Sequence, residues 1–461
     1  MDNQHTPEKT APKKMNGHAH RPDSRPTNPA HVRAVFTGWD SAHGREIWAT
    51  DGRSARPVKD IAPGSDPSDP QELTTVGKTV FFTADDGTHG VELWKTDGTG
   101  SGTALVKDIE PPGASFDPGH LTAAGRRLYF TADDGTHGTE LWTSDGTAAG
   151  TRMVTDLRQG GASAFPTELT AVGRDLYFSA NDGTHGVALW KTNGTASGTT
   201  LVKDFIPGSF DPPTPYSQAP QHLTAVGKDL FLTSRQGGFN IGLWKTDGTA
   251  EGTVLLKNDL FDDPRSGFIT NLEAAGNTLF FNTGFALWKS DGTPEGTQKV
   301  KSFASLPETN PNNLTAAGKN LFFTANDGVH GRELWFSDGT TDGTHLVKDI
   351  TPGSGSSAVS NLTALGKELF FTAGEGQGAP DLWMSDGTAA GTHRVKDAAS
   401  NDGWSSPADL SVVDNRLFFS ATDLNQDRVL FSVDAGGGHV TRIGSADPAF
   451  PSFDPHSVTP I

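Results

Sequence analysis

The chain of 461 residues contains no cysteine, which excludes disulfides and thiolate metal sites. Basic residues are scarce: 37 Lys and Arg stand against 55 Asp and Glu, a net charge of -18. That balance argues against nucleic acid or an anionic membrane surface as the main partner. No apolar run approaches the ~20 residues of a membrane span, so no membrane insertion is expected. A sustained 3.6-residue hydrophobic period is also missing, so helices are not expected. Residues 1–30 have almost nothing apolar but carry Pro7, Pro12, Pro22, Pro26 and Pro29. They read as a disordered Pro-rich arm. Without a hydrophobic h-region the arm is not a secretory signal.

What the chain has in quantity is Gly, 55 residues, and Pro, 29. These suit many short strands joined by tight turns. They also belong to a repeat. Trp48 returns as Trp94, Trp142, Trp190, Trp244, Trp288, Trp335 and Trp383, with Phe431 in the ninth copy. The spacings are 46, 48, 48, 54, 44, 47, 48 and 48 residues. A fixed period in this range signals a solenoid, a propeller or an array.

Each copy divides into four strand-like pieces. In the second they are Leu73–Val76 (A), Thr79–Thr83 (B), Val91–Lys95 (C) and Ala104–Ile109 (D). Asp-Gly and Gly-Lys turns separate them, where Gly accepts the positive φ that hairpins need. Four antiparallel strands in about 48 residues is the size of a propeller blade. The first copy starts at Ala34-Val35-Phe36, a B piece, and lacks an A piece. The chain ends in Ser452-Phe453-Asp454-Pro455-His456-Ser457-Val458-Thr459, which matches the lead into strand A at Ser115–Thr122. The expected fold is therefore all-β. Residues 31–461 form one closed propeller of nine four-stranded blades, with eight as the alternative. The C-terminal strand completes the first blade and hides its edge.

Glu92-Leu93-Trp94-Lys95-Thr96-Asp97-Gly98-Thr99, followed by Gly102-Thr103 and Val106-Lys107-Asp108-Ile109, resembles the bacterial ELWxxDGT-repeat family over residues 34–461. The resemblance implies an exported or surface-associated protein and no particular activity. The arm, read as lacking a signal, leaves a cytoplasmic location or export by another route.

Four groups of residues could carry function. His89, His137, His185 and His330, with His43, occupy one position of the B–C turn, and Asp86, Asp134, Asp182 and Asp327 stand three residues before the first four. Such pairs stiffen a hairpin. Repeated around one rim, they would also offer the equivalent sites of a multivalent lectin. Second, the residue before the first Leu of strand A is polar in every copy: Glu72, His120, Glu168, His222, Asn271, Asn313, Asn361, Asp409 and Ser457. This column either caps loops at a channel mouth or, through Glu72, His120, Glu168 and His222, binds one divalent metal ion or performs acid–base chemistry. Third, Trp39, Trp404 and Tyr216 fall outside the repeat pattern and are candidates for ligand contact. Fourth, Asp423, Asn425 and Asp427 alternate like calcium ligands, but Arg428 replaces the usual Gly, and an ordinary turn is the simpler reading.

The leading functional expectation is a non-enzymatic binding module for glycans or another surface ligand. The alternatives are a metal-dependent lyase or hydrolase at the channel mouth and a protein-interaction scaffold. Fold alone does not choose among them.

Overall fold

Runs of Phe, Leu, Val and Trp between Gly-rich turns form extended strands, because branched and aromatic side chains pack well on a pleated surface. In the second repeat the strands are Gln71–Val76 (A), Thr79–Asp85 (B), Val91–Thr96 (C) and Ala104–Lys107 (D). B and C are buried on both faces, whereas A and D are half-exposed. The computed structural model describes residues 32–109, 117–207, 219–235, 241–258, 260, 269–303, 309–374, 379–395, 403–446 and 452–461. The arm expected over residues 1–30 lies outside them.

Val32–Ile461 is one all-β, propeller-like unit. Its described residues form seven four-stranded antiparallel sheets and one eight-stranded sheet. The larger sheet is two repeat units joined at their outer strands. Ser54 and Ala55 of the first unit pair in parallel with Gly444 and Ser445 of the ninth. The last strand, His456–Pro460, pairs antiparallel with Ala34–Asp40 and supplies the A strand that the first unit lacks. It also touches the A strands of the ninth and second units, Trp404–Val413 and Gln71–Val76. No described helix is long and apolar enough to cross a membrane.

The cores lie between units. Val35, Ile47 and Ile61 of the first pack with Phe82 and Trp94 of the second. Phe81, Leu93 and Val106 of the second pack with Phe130 and Trp142 of the third. The strand C tryptophans thus fill the space between neighbouring sheets.

The Asp-Gly-Thr turn is a closed hydrogen-bond cage. Asp97 Oδ1 accepts the Thr99 amide at 2.9 Å and the Thr99 hydroxyl at 2.6 Å. Thr99 Oγ1 accepts the Gly102 amide at 3.0 Å, and Thr103 Oγ1 donates to the Thr99 carbonyl at 2.7 Å. A Cβ on Gly102 would stand 2.0 Å from Asp97 Oδ1, so only glycine fits there. The same crowding recurs at Gly150, Gly252, Gly296, Gly343 and Gly391, and at Gly198 against Asn193. Gly102→Ala should therefore lower stability by about 1–3 kcal/mol, while the exposed Ser101→Ala stays within about 0.5 kcal/mol. Urea denaturation midpoints measure both, and equal midpoints would refute the cage.

Candidate functional site

The A–B pairing slips by one residue in every unit, and a second time in the ninth. In the second, Gln71 faces Thr83 but Thr74 faces Phe81, so one extra residue bulges from strand A. The bulge places Glu72, His120, Glu168, His222, Asn271, Asn313, Asn361, Asp409 and Ser457 in the left-handed region, with φ between 51° and 58°. Non-glycine residues rarely adopt it, although Asn, Asp and His tolerate it best. Thr74, Thr122, Thr170 and Thr224 return a hydroxyl to the bulged residue's carbonyl at 2.9–3.0 Å.

The side chains of this polar column have structural partners. Glu72 Oε2 accepts the Leu121 amide of the next unit at 2.7 Å, and Glu168 Oε2 accepts the Leu223 amide at 3.1 Å. His120 Nδ1 and His222 Nδ1 bond Thr131 Oγ1 and Thr233 Oγ1 at 3.2 and 3.0 Å. Glu72, His120, Glu168 and Ser457 line one open cavity of about 670 Å³, and His222 is not among its lining residues. Among the described residues, no three His, Asp or Glu side chains converge as metal ligands. The expected four-residue metal site is thus not assembled, because each member is turned to a neighbour's backbone amide or a strand B hydroxyl.

The B–C turns and D–A loops share a rim: the Asp85 amide donates to Ser68 O and the Asn181 amide to Ala164 O, each at 3.0 Å. On this rim the Asp–His pairs form as expected. Asp86 Oδ1 accepts the amides of Thr88 and His89 at 2.9 Å, and its Oδ2 holds His89 Nδ1 at 2.8 Å. His137, His185 and His330 meet Asp134, Asp182 and Asp327 at 2.8, 2.7 and 2.8 Å, and His43 meets Asp40 at 3.0 Å. The hydrogen bond that the ring donates to the carboxylate raises the pKa of His43, His89, His137 and His330 above the ordinary value. Burial pushes the Asp86 carboxyl up, but the amide and ring of His89 outweigh it and hold it low. Anchoring Nδ1 fixes the ring and leaves Nε2 as the free edge of His89, His137, His185 and His330, whose side chains are 35–39% exposed.

The off-pattern aromatics divide. Trp39 is 47% exposed. Trp404 is buried, 5.2 Å edge-on to Phe419 and 6.2 Å from Phe431, so the expectation that it contacts ligand is corrected. Strand C of the ninth unit has Phe431 where others have Trp, and the second indole fills the volume that the smaller ring leaves. Tyr216 lies outside the described residues. The calcium reading of Asp423, Asn425 and Asp427 also fails. Asp423 is buried, its Oδ1 accepts the Asn425 and Asp427 amides, and its Oδ2 takes two bonds from Arg442 at 2.9 and 2.7 Å.

One chemically active group escaped the sequence reading: the Glu two residues before the strand C Trp. Glu46, Glu92, Glu140 and Glu333 are fully buried. They clamp the D–A loop. Glu92 accepts the Ile109 amide at 3.0 Å, and Glu140 accepts those of Leu157 and Arg158 at 3.2 Å. Glu333 accepts the Ile350 amide and the Ser357 hydroxyl. Burial pushes the carboxyls of Glu140 and Glu333 up to about 7. Their recurrence two residues before that Trp was the available signal.

No family model matches the chain, and no curated protein matches it. Among solved structures, a eukaryotic initiation factor is 9% identical, with a TM-score of 0.56 over 93% of this chain and 98% of that one. The likeness is one of fold, all-β and propeller-like. A puromycin hydrolase is 15% identical over 88% of this chain at a TM-score of 0.41. Oligopeptidase B from Leishmania major is 13% identical over 72% at 0.43. The chain spans 57% and 49% of the lengths of these two enzymes.

Two pH effects follow. A carboxyl whose folded pKa exceeds its unfolded one binds its proton more tightly when folded, so stability falls as pH rises from about 4.5 to about 7. Glu140→Gln with Glu333→Gln should flatten that slope in denaturation midpoints taken across this window. Equal slopes would refute it. The raised His89 pKa depends on its carboxylate, so Asp86→Asn should lower it. A histidine NMR titration reads the shift directly, and an unmoved midpoint would deny the pairing its role.

Proposed function

We propose that Val32–Ile461 closes into a nine-bladed propeller of the ELWxxDGT-repeat kind and acts as a non-enzymatic, lectin-like module that recognises glycans on one rim. Closure is supported by His456–Pro460, which completes the first unit and touches the A strands on either side. The repeat assignment is supported by the motif's internal logic. Its Glu clamps a loop, its Trp fills a gap between units, and its Asp-Gly-Thr-x-x-Gly-Thr builds a cage.

The observation that carries the binding reading is the recurrence of one solvent-facing imidazole geometry in three successive units, at His89, His137 and His185, and again at His330. An imidazole fixed through Nδ1 offers Nε2 to a hydroxyl, as acceptor when neutral and donor when protonated. One such contact is weak. Several at a repeated spacing bind a clustered glycan through effective concentration. The metal-dependent alternative has no three-ligand cluster among the described residues to stand on.

A glycan array printed at high and low density tests the reading. Wild type should bind at high density, and the variant with His89, His137, His185 and His330 all changed to Ala should lose about 100-fold or more in apparent affinity. No glycan binding by the wild type, or undiminished binding by the variant, would overturn it.

A further inference from the structure

The seam between the ninth and first units departs from the repeat at one exposed position. Strand B ends in Asp85, Asp133, Asn181 and Asn326 in units two, three, four and seven. Each accepts the amide of its turn glycine at 2.7–2.8 Å. The first unit has Trp39 there, 47% exposed. Its backbone is fixed, because the Trp39 amide donates to Phe453 O at 2.8 Å. Beneath it, a Cβ on Gly38 would meet the Trp48 ring at 2.8 Å and Phe453 O at 3.0 Å. A rigidly mounted indole therefore stands in water where a short capping side chain serves in units two, three, four and seven.

Trp39 pairs in register with Arg45 and shares a sheet face with Thr37, two residues back. Thr37 and Arg45 line a cleft of about 470 Å³ together with Asp69, Gln71, Glu72 and His456, a volume in the range of small-ligand sites. The Arg45 guanidinium makes no hydrogen bond among the described residues, only ion pairs of 3.6 Å to Asp69 and 4.0 Å to Asp454. Arg428, its counterpart in the ninth unit, instead donates to Ser406 O at 3.2 Å and Ser420 Oγ at 2.6 Å. The donors of Arg45 are left for a ligand. Asp69 and Glu72 offset the positive charge of Arg45, so nothing selects an anion.

We propose that this seam cleft is a single site for a neutral hexopyranose. Trp39 stacks on the C–H face of the ring, and Arg45, Asp69 and Gln71 bond its hydroxyls. The proposal rests on the glycan reading above and adds to it one site and one sugar class.

Isothermal titration calorimetry tests it with neutral oligosaccharides and with their uronate and amino-sugar counterparts. The proteins are the wild type, Trp39→Ala, Trp39→Phe, Arg45→Met and, far along the rim, His137→Ala. One site per chain should take the neutral sugars. Trp39→Ala and Arg45→Met should each weaken it about tenfold or more, as truncation of anchor residues does. Trp39→Phe and His137→Ala should leave it within about threefold. Both seam side chains are exposed, so matching thermal melts are expected, and Arg45→Met serves if Trp39→Ala fails to fold. Loss in His137→Ala with none in the seam variants would overturn the seam site and keep the glycan reading. Preference for uronates or amino sugars would overturn the sugar class. No saccharide binding by the wild type would overturn both readings.

Discussion

The indole of each strand C is covered by the unit before it, and the fold depends on that contact. Lys107 Nζ stands 5.4 Å from the Trp142 ring centre and donates to Thr151 O at 3.0 Å, so one ammonium holds both the ring and the turn cage of the next unit. Lys59 does the same to Trp94 and Thr103, and Lys348 to Trp383 and Thr392. Ring burial supplies area and the cation adds attraction to its face. Because each core lies between units, a unit alone has only half of one. Between the first and ninth units, Trp48 stacks 5.2 Å from Phe453 in a cluster that also contains Trp404 and Phe431.

This arrangement explains how much of the fold was legible. Hairpins and apolar runs repeat with the chain, so strands B and C stood out, as did the transfer of the last strand to the first unit. Strand limits were read less well, for physical reasons. Strand A starts at Gln71 rather than Leu73 because the bulge at Glu72 interrupts the alternation that a sequence reading follows. Strand D stops at Lys107 rather than Ile109 because the Ile109 amide turns away to the Glu92 carboxylate. The merger of the first and ninth sheets joins Ser54 to Gly444 through backbone groups alone, which no side-chain pattern announces.

The site was legible in the same uneven way. Asp and His three residues apart predict a bond within one turn, and the bond forms. The calcium-like spacing of Asp423, Asn425 and Asp427 gave no warning of Arg442, which lies on the next strand and takes the carboxylate. Trp39 and Trp404 carried the same signal, an indole out of register with the repeat. Their fates differ because Phe431 leaves room for one, whereas the other has Gly38 and the seam backbone beneath it and no space to turn inward.

The nine polar residues at the entrance of strand A raise a sharper question. Each holds a left-handed backbone that costs on the order of 1 kcal/mol or more for a residue with a Cβ. Glycine would remove that cost, yet none of the nine is glycine. Most of their side chains have partners that glycine would forfeit. Glu72 and Glu168 reach the next unit's amide, Asn271 bonds Asn282, Asn361 bonds Thr372, and Asp409 accepts from Ser420. The polar column is therefore accounted for by the bulge it stabilises. A feature present in every unit and used by the fold in every unit says little about ligand choice. Selectivity has to come from positions where one unit breaks the pattern and gains nothing structural by it, and the exposed ring of Trp39 beside the loosely ion-paired guanidinium of Arg45 is such a place.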